Sequence, residues 1–292
     1  MHLLLALPAP AKLNLFLRVT GRRADGYHEL QTAYALIDLA DLLDFERRDD
    51  GVIVREGDLV GELEQDLVVR AARALHDHSG TSLGATISVT KRIPAGSGLG
   101  GGSSDAATTL IALNRLWNLN LPRNELSAIG LSLGADVPFF LHGRDAFAEG
   151  IGEQLTTVEL PSLWFAVIWP QVHVSTAEIF ADAGLTRNSK ATKIADFPTM
   201  AAQLVGETIS DSGHPSSLVN DLEPVARRRY PVIDEAIKRL ERFGAARMTG
   251  SGSAVFVATR AREQAELAVA DMPQGWSVWA VQKLGEHPLA VW

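Results

Sequence analysis

The run Pro94-Ala95-Gly96-Ser97-Gly98-Leu99-Gly100-Gly101-Gly102-Ser103-Ser104 is the segment whose composition speaks most directly of chemistry. Five of the seven residues from Gly96 to Gly102 are glycine, so the backbone can turn freely and bring its N–H groups close to a ligand. A strand reads into the run and a helix reads out of it. A helix start presents unpaired N–H groups and a partial positive charge to an anion. Ser103 and Ser104 add hydroxyl donors at the same place, so the run reads as a cradle for phosphate. Two familiar phosphate loops are excluded. The run holds no lysine, so it is no GxxxxGK[ST] loop. Gly96, Gly98 and Gly101 do give G-x-G-x-x-G, but the acidic strand end required about 20 residues later is missing.

Lys12 and Asp136 are the next candidates. Asp136 follows a predicted helix end at Gly134 and precedes the apolar run Val137 to Leu141, read as a strand. A carboxylate there could accept a proton from a hydroxyl, and a nearby lysine would keep it ionised. A purely structural Lys–Asp pair explains the same residues, and local sequence does not choose between the two. Tyr27 and His28, directly after the Asp25-Gly26 turn, each read alone as a packed or surface side chain sooner than as a ligand contact. The eight histidines show no paired metal-ligand spacing, so no metal site is read. Cysteine is absent, which removes disulfides, thiolate metal sites and cysteine nucleophiles.

These residues need elements to position them. From Lys12 to Thr20 the alternation predicts a strand with Leu13, Leu15, Leu17 and Val19 in the core. Lys12, Asn14, Phe16, Arg18 and Thr20 then fall on its other face. A second extended run follows from Tyr27 to Ile37, then short strands to Val60, a helix from Leu67, and a strand from Ala85 to Ile93. Ser103-Ser104-Asp105 reads as the cap of a helix through Asn118, and another helix spans Asn124 to Leu133. In the second half a strand begins at Leu163. Ser175 to Glu178 forms a capping box opening a short helix through Phe180. Residues 186–218 read as including a mobile loop. A helix from Asp221 to Phe243 is broken near Pro231, and strand, helix and strand follow to Val281. The fold class is α+β, divided into residues 1–155 and 156–292.

Composition narrows the partners. The 292 residues are 46% hydrophobic and 21% charged, with 27 basic against 35 acidic side chains and a formal charge of −8. That balance points away from nucleic acid, and the basic run Arg227-Arg228-Arg229 reads as a solvated helix face. The amino terminus lacks a basic n-region, and no stretch approaches the roughly 20 apolar residues of a membrane span. A soluble, cytoplasmic protein acting on a small molecule is expected, with no membrane and no obligate protein partner.

The run PAGSGLGGGSSDAA resembles the ATP loop of the GHMP small-molecule kinases, the superfamily of galactokinase, homoserine kinase and mevalonate kinase. PAKLNLFL and RMTGSGSAVF resemble that superfamily's amino-terminal and carboxyl-terminal motifs. RRADGYHEL, LGADVPFFL, FAEGIGE and NDLEP narrow the resemblance to the branch acting on a cytidine-diphosphate-linked methylerythritol, in the non-mevalonate isoprenoid route. The resemblance implies an amino-terminal domain like ribosomal protein S5 domain 2 and a ferredoxin-like carboxyl-terminal domain, with the active site between them. It also implies ATP as phosphoryl donor, with Mg²⁺, and transfer to the acceptor's 2-hydroxyl. It assigns catalysis to Lys12 and Asp136 and places Asn14 beside the reacting hydroxyl. Tyr27 and His28 would hold the cytosine, with Phe180 on its other side. Asp66 stands where some members carry an asparagine near adenine. Two rivals stay open at this level: a member acting on mevalonate, homoserine or a sugar, and a catalytically silent nucleotide-binding protein on the same fold.

Overall fold

In the computed structural model, which describes residues 2–202, 204 and 218–292, the first sheet is built on two long strands. They are β1 (Leu3–Arg22) and β2 (His28–Arg48), an antiparallel ribbon closed by a turn in which Arg23 N–H donates to the Tyr27 carbonyl at 2.7 Å. Also in this sheet are β3 (Ile53–Gly57), β4 (Gly84–Thr90), β5 (Ala146–Glu149) and β6 (Gln154–Thr157). β2 is long enough to use its second edge twice, pairing β5 at Thr32–Tyr34 and β4 at Leu42–Arg48. Four helices pack on this sheet: α1 (Leu67–Ser79), α2 (Gly101–Leu116), α3 (Arg123–Leu133) and α4 (Val137–His142). They bury Leu36, Phe45, Ile87, Leu110 and Phe139 between them and the strands.

The second half follows the order strand, helix, strand, strand, helix, strand. After β7 (Trp164–Trp169) come the short α5 (Thr176–Ala181) and α6 (Phe197–Ala202), then α7 (Glu223–Arg229) and α8 (Pro231–Leu240). β8 (Arg247–Met248), β9 (Val255–Thr259), α9 (Arg262–Ala270) and β10 (Ser277–Gln282) complete it. The sheet order is β10-β7-β9-β8, antiparallel throughout. Numbered within this half, the order is 4-1-3-2, the ferredoxin-like topology that the motifs implied. One face of this sheet packs on α7, α8 and α9 around Ile168, Ile237 and Val257. The other meets the ribbon directly, with Phe165, Phe256 and Val167 against Leu13, Leu15 and Phe16. The two halves therefore share a core.

Several expectations are corrected. Val137 to Leu141 is helical, not a strand. Pro138 near its start supplies a fixed φ and loses no helix hydrogen bond there. Phe16 leaves the polar face predicted for it and joins Leu13 and Leu15 in the shared core, because a register shift between Asn14 and Phe16 breaks the period of two. That polar face is not open to solvent either: Ala9 to Leu17 are buried on both sides. α2 begins at Gly101, two residues before the predicted cap. Gly100 adopts φ 78°, so the glycine run itself starts the helix and places Ser103 and Ser104 in its first turn. Of the span 186–218, expected to include a mobile loop, residues 203 and 205–217 lie outside the described residues. Arg227 pairs with Glu223 and Asp234, while Arg228 and Arg229 pair with Asp182, so the basic run is spent on ion pairs.

The division expected between 155 and 156 falls inside β6, and residues 158–163 connect the two sheets. After β10 the chain returns to the first half. Arg123 Nη2 donates to the Leu289 carbonyl at 2.6 Å, and Leu289 is buried among the residues beneath α2 and α3. Replacing Leu289 by alanine is expected to cost about 2–4 kcal/mol, the usual scale for a buried leucine. Equilibrium denaturation checks this, and a change below about 0.5 kcal/mol would show that the tail does not contribute to that core.

Candidate active site

The glycine run is held from two sides. Lys12 N–H, on β1, donates to the Leu99 carbonyl at 3.0 Å, and Ala254 N–H, just ahead of β9, donates to the Ser97 carbonyl at 2.9 Å. Ser97 Oγ closes the loop on itself by donating to the Pro94 carbonyl at 2.7 Å. Gly98 sits so close to residues 249–252 that a Cβ would lie 2.4 Å from the Thr249 carbonyl, and its φ is +81°. No side chain fits there, which explains a glycine at this step.

A cavity lies on each side of the loop. The first is lined by Pro94 to Gly98, Gly100 to Ser103, and the Arg55–Asp66 and Lys91–Asp105 regions. The second is lined by Lys12, Asn14, Tyr34, Asp136, Phe180 and the turn Gly250 to Gly252. Gly96, Gly98, Gly100 and Ser103 border both. Of the run Pro94 to Ser104, only Leu99 and Ser104 turn away from the first cavity, both being buried. A phosphate chain on one side of this glycine wall would thus meet a second molecule on the other.

Lys12 and Asp136 come together, with Nζ 3.4 Å from Oδ2. Lys12 Nζ also donates to Asn14 Oδ1, which lies two residues on along β1 and on the same side. Asn14 is fixed by three further bonds. Its N–H donates to Thr249 Oγ1 at 2.8 Å, its Nδ2 donates to Thr32 Oγ1 at 2.9 Å, and Thr249 Oγ1 lies 3.5 Å from its Oδ1. Asp136 is one-third exposed while Lys12 is nearly inaccessible. Both line the second cavity, and the carboxylate is the more accessible of the two.

Sequence reading missed Tyr34. It stands opposite Asn14 in the β1–β2 register and its hydroxyl donates to Asp136 Oδ1 at 2.9 Å. Lys12 Nζ lies 5.4 Å above its ring centroid. Burial first, and then the neighbouring Asp136 charge, push the Tyr34 pKa well up, so this hydroxyl stays protonated and remains a donor. Gly152, from the FAEGIGE segment, allows the approach, since a Cβ there would meet the Tyr34 hydroxyl at 2.8 Å. Asn220 was missed as a residue, although its segment NDLEP was noted. Its buried amide donates to the carbonyls of Met248 and Gly250 at 2.9 and 2.8 Å, shaping the turn beside Lys12.

The residues expected at the cytosine are placed unevenly. His28 and Phe180 are stacked, with ring centroids 4.9 Å apart and 26° between planes. Phe180 lines the second cavity. The Tyr27 side chain is 61% exposed and makes no ring contact with the other two. Asp66 caps α1 by accepting from Val68 N–H and pairs with Arg55 at 3.0 Å, so both its oxygens are occupied.

Beneath the first cavity lies a buried charge cluster. Lys91 Nζ donates to both Asp41 and Asp105, and Asp41 also accepts from the N–H groups of Arg92 and Ile93 at the entry to the glycine run. Two carboxylates share one ammonium, and Asp105 Oδ1 has no partner. Burial above all, together with the Asp41 charge, raises the Asp105 pKa to about 7 against the pull of Lys91.

Comparison with known proteins agrees with this architecture. Residues 66–144 match the model described as GHMP kinases N terminal domain, and residues 194–278 match GHMP kinases C terminal. The chain belongs to the GHMP kinase family. The relatives are specific. A protein of Aromatoleum aromaticum named 4-diphosphocytidyl-2-C-methyl-D-erythritol kinase is 53% identical over 286 residues, covering 98% of this chain and 95% of its own. One of the same name from Burkholderia multivorans is 52% identical over 283 residues, with 96% and 94% covered. The crystal structure of a 4-(cytidine 5'-diphospho)-2C-methyl-D-erythritol kinase is 34% identical, with a TM-score of 0.79 over 95% of this chain and 98% of that one.

The buried cluster makes a stability prediction. Because the folded pKa of Asp105 lies above its unfolded value near 3.8, its contribution is full below about pH 4 and is lost as pH rises through about 7. Asp105→Asn mimics the protonated group. It should unfold at a higher temperature than the parent at pH 8, by an amount worth about 1 kcal/mol or more, and match it near pH 4. Equal melting temperatures at pH 8 would contradict the raised pKa.

Proposed function

We propose that this protein transfers the γ-phosphoryl group of ATP to the 2-hydroxyl of 4-diphosphocytidyl-2-C-methyl-D-erythritol, a step of non-mevalonate isoprenoid precursor synthesis. The observation that carries the reading is the glycine wall with a cavity on each side, Asp136 and Lys12 standing on the acceptor side. The names and identities of the relatives supply the acceptor.

ATP would place its phosphates along Gly96 to Ser103, where loop N–H groups and the start of α2 meet the charge. The acceptor hydroxyl would lie beside Asp136 in the second cavity. Its oxygen attacks the γ-phosphorus, the bond to the β,γ-bridging oxygen breaks, ADP departs, and the hydroxyl proton passes to Asp136. Tyr34 and Lys12 hold one carboxylate oxygen each, which fixes the base and leaves its remaining lone pairs for the substrate. Lys12 offsets negative charge on the transferring group, and Asn14 orients the lysine beside the reacting hydroxyl. Phosphoryl transfer asks chiefly for such positioning and charge. Phe180 and His28, with Tyr27 at the rim, are assigned to the cytosine. Mg²⁺ is expected to travel with the nucleotide. Among the described residues no group of three acidic or histidine side chains gathers to hold a metal, so phosphate oxygens and water would supply most of its ligands.

No helix among the described residues is long and apolar enough to cross a membrane, and a cysteine-free chain suits the reducing cytoplasm in which we place it. The sequence division at 155/156 is kept as a working division for domain-level experiments.

ATP consumption with 4-diphosphocytidyl-2-C-methyl-D-erythritol as acceptor is the direct test. Turnover on mevalonate, homoserine or galactose instead would replace this reading. Asp136→Asn is expected to lose on the order of 10²-fold or more in kcat while ATP still binds; near-parental turnover would remove the base assignment. Tyr34→Phe should lower kcat about 10-fold, the scale of one hydrogen bond to a charged group, with both KM values within about twofold in steady-state assays.

A further inference from the structure

One arginine outside every motif ties the acceptor side together. Arg187 Nη2 donates to the carbonyls of Phe180 and Asp182, both at 2.8 Å, and Nη1 donates to the Leu185 carbonyl at 3.2 Å. Its Nε donates to His28 Nε2 at 3.3 Å. The same guanidinium thus closes the carboxyl end of α5 and reaches the first residue of β2. The chain that carries it is strapped to the ribbon just beyond. Ser189 N–H donates to the Val19 carbonyl at 3.0 Å, and Thr192 N–H donates to Gln31 Oε1 at 2.7 Å.

We propose that Arg187 is a positioning residue of the acceptor site, holding His28 as its neutral Nδ1–H tautomer and Phe180 against the imidazole face. Guanidinium nitrogen is a donor only, so a bond to Nε2 requires a lone pair on that atom. The ring proton must then sit on Nδ1. The surroundings agree. Burial first, and then the cations Arg187 and Arg22, lower the His28 pKa, which keeps the ring neutral. Those two arginines and the Phe180 ring are what face it from β1, the strap and α5. The donor left on the ring is Nδ1–H, complementary to the acceptor atoms N3 and O2 of a cytosine. This inference rests on the proposed cytidyl acceptor for its meaning, but the tautomer does not.

The first measurement therefore uses the parent protein without any substrate. Nitrogen-15 labelling of histidine should show the His28 proton on Nδ1, with a titration midpoint below the ordinary histidine value. Arg187→Met should move that midpoint upward. The variant should also raise KM for the cytidyl acceptor on the order of 10-fold, while kcat and KM for ATP stay within about twofold. A proton on Nε2 in the parent overturns the proposal, whether or not the variant folds. So does an unmoved midpoint or an unchanged acceptor KM in the variant. Failure of the parent to use the cytidyl acceptor would instead overturn the functional reading and leave the tautomer result standing.

Discussion

A single backbone hydrogen bond, from Lys12 N–H to the Leu99 carbonyl, joins the two chemical tasks of this molecule. It sets the glycine run at a fixed height against β1. Because the Lys12 side chain leaves the strand at that residue, it also sets the distance from the glycine run to the ammonium. Strand geometry makes the arrangement unforgiving. A slip of one residue would turn Lys12 and Asn14 to the opposite face and carry leucines into the cleft. The register is defended by burial on both sides of β1 and by Asn14, whose bonds reach Thr32 on the neighbouring strand and Thr249 in the other half.

From that anchor the rest follows as a problem of walls. The run must be thin enough for the two cavities to meet along its edge, yet rigid. Glycine supplies the thinness, and the stiffness comes from outside the run. Ala254 grips Ser97 from the second half, Asn220 braces the Gly250 turn behind it, and Asp41 holds the two N–H groups that lead in. Lys91 bridges Asp41 to the first turns of α2, so one ammonium links the entry and the exit of the loop. A buried group with one cation for two carboxylates is an uneasy arrangement for stability alone. Lys91 and Asp105 line the first cavity from below.

How much of this could be read beforehand depended on whether a residue's role is local. The glycine run, the Ser175 cap, the ferredoxin-like order and the pairing of Lys12 with Asp136 were legible. Each leaves its mark within a few residues, or within a motif that resembles known kinases. Tyr34 was not. In the stretch LQTAYALID it alternates like any core aromatic, and only the register opposite Asn14 turns its hydroxyl towards Asp136. Arg187 reaches the His28 ring and Asn220 the carbonyls of Met248 and Gly250, all distant in sequence, and no spacing rule could announce them. Phe16 and α4 show the converse failure. A strict period of two breaks at a bulge, and a five-residue apolar run fits a strand or a helix equally well until its neighbours are known.

The placement of specificity and chemistry follows the same division. The groups proposed for catalysis come almost wholly from the first half, on β1, β2 and the start of α4. The face offered to the acceptor base is assembled from both halves. His28 opens β2, Phe180 ends α5, and a strap laid along β1 carries the arginine that bridges them. α5 is only six residues long; Ile179 seats it in the core of the second half, and Arg187 with the ion pairs of Asp182 to Arg228 and Arg229 ties down its carboxyl end. None of these polar contacts involves Lys12 or Asp136. The glycine wall is fixed by backbone hydrogen bonds to both halves, while the opposite rim is tied together by side chains.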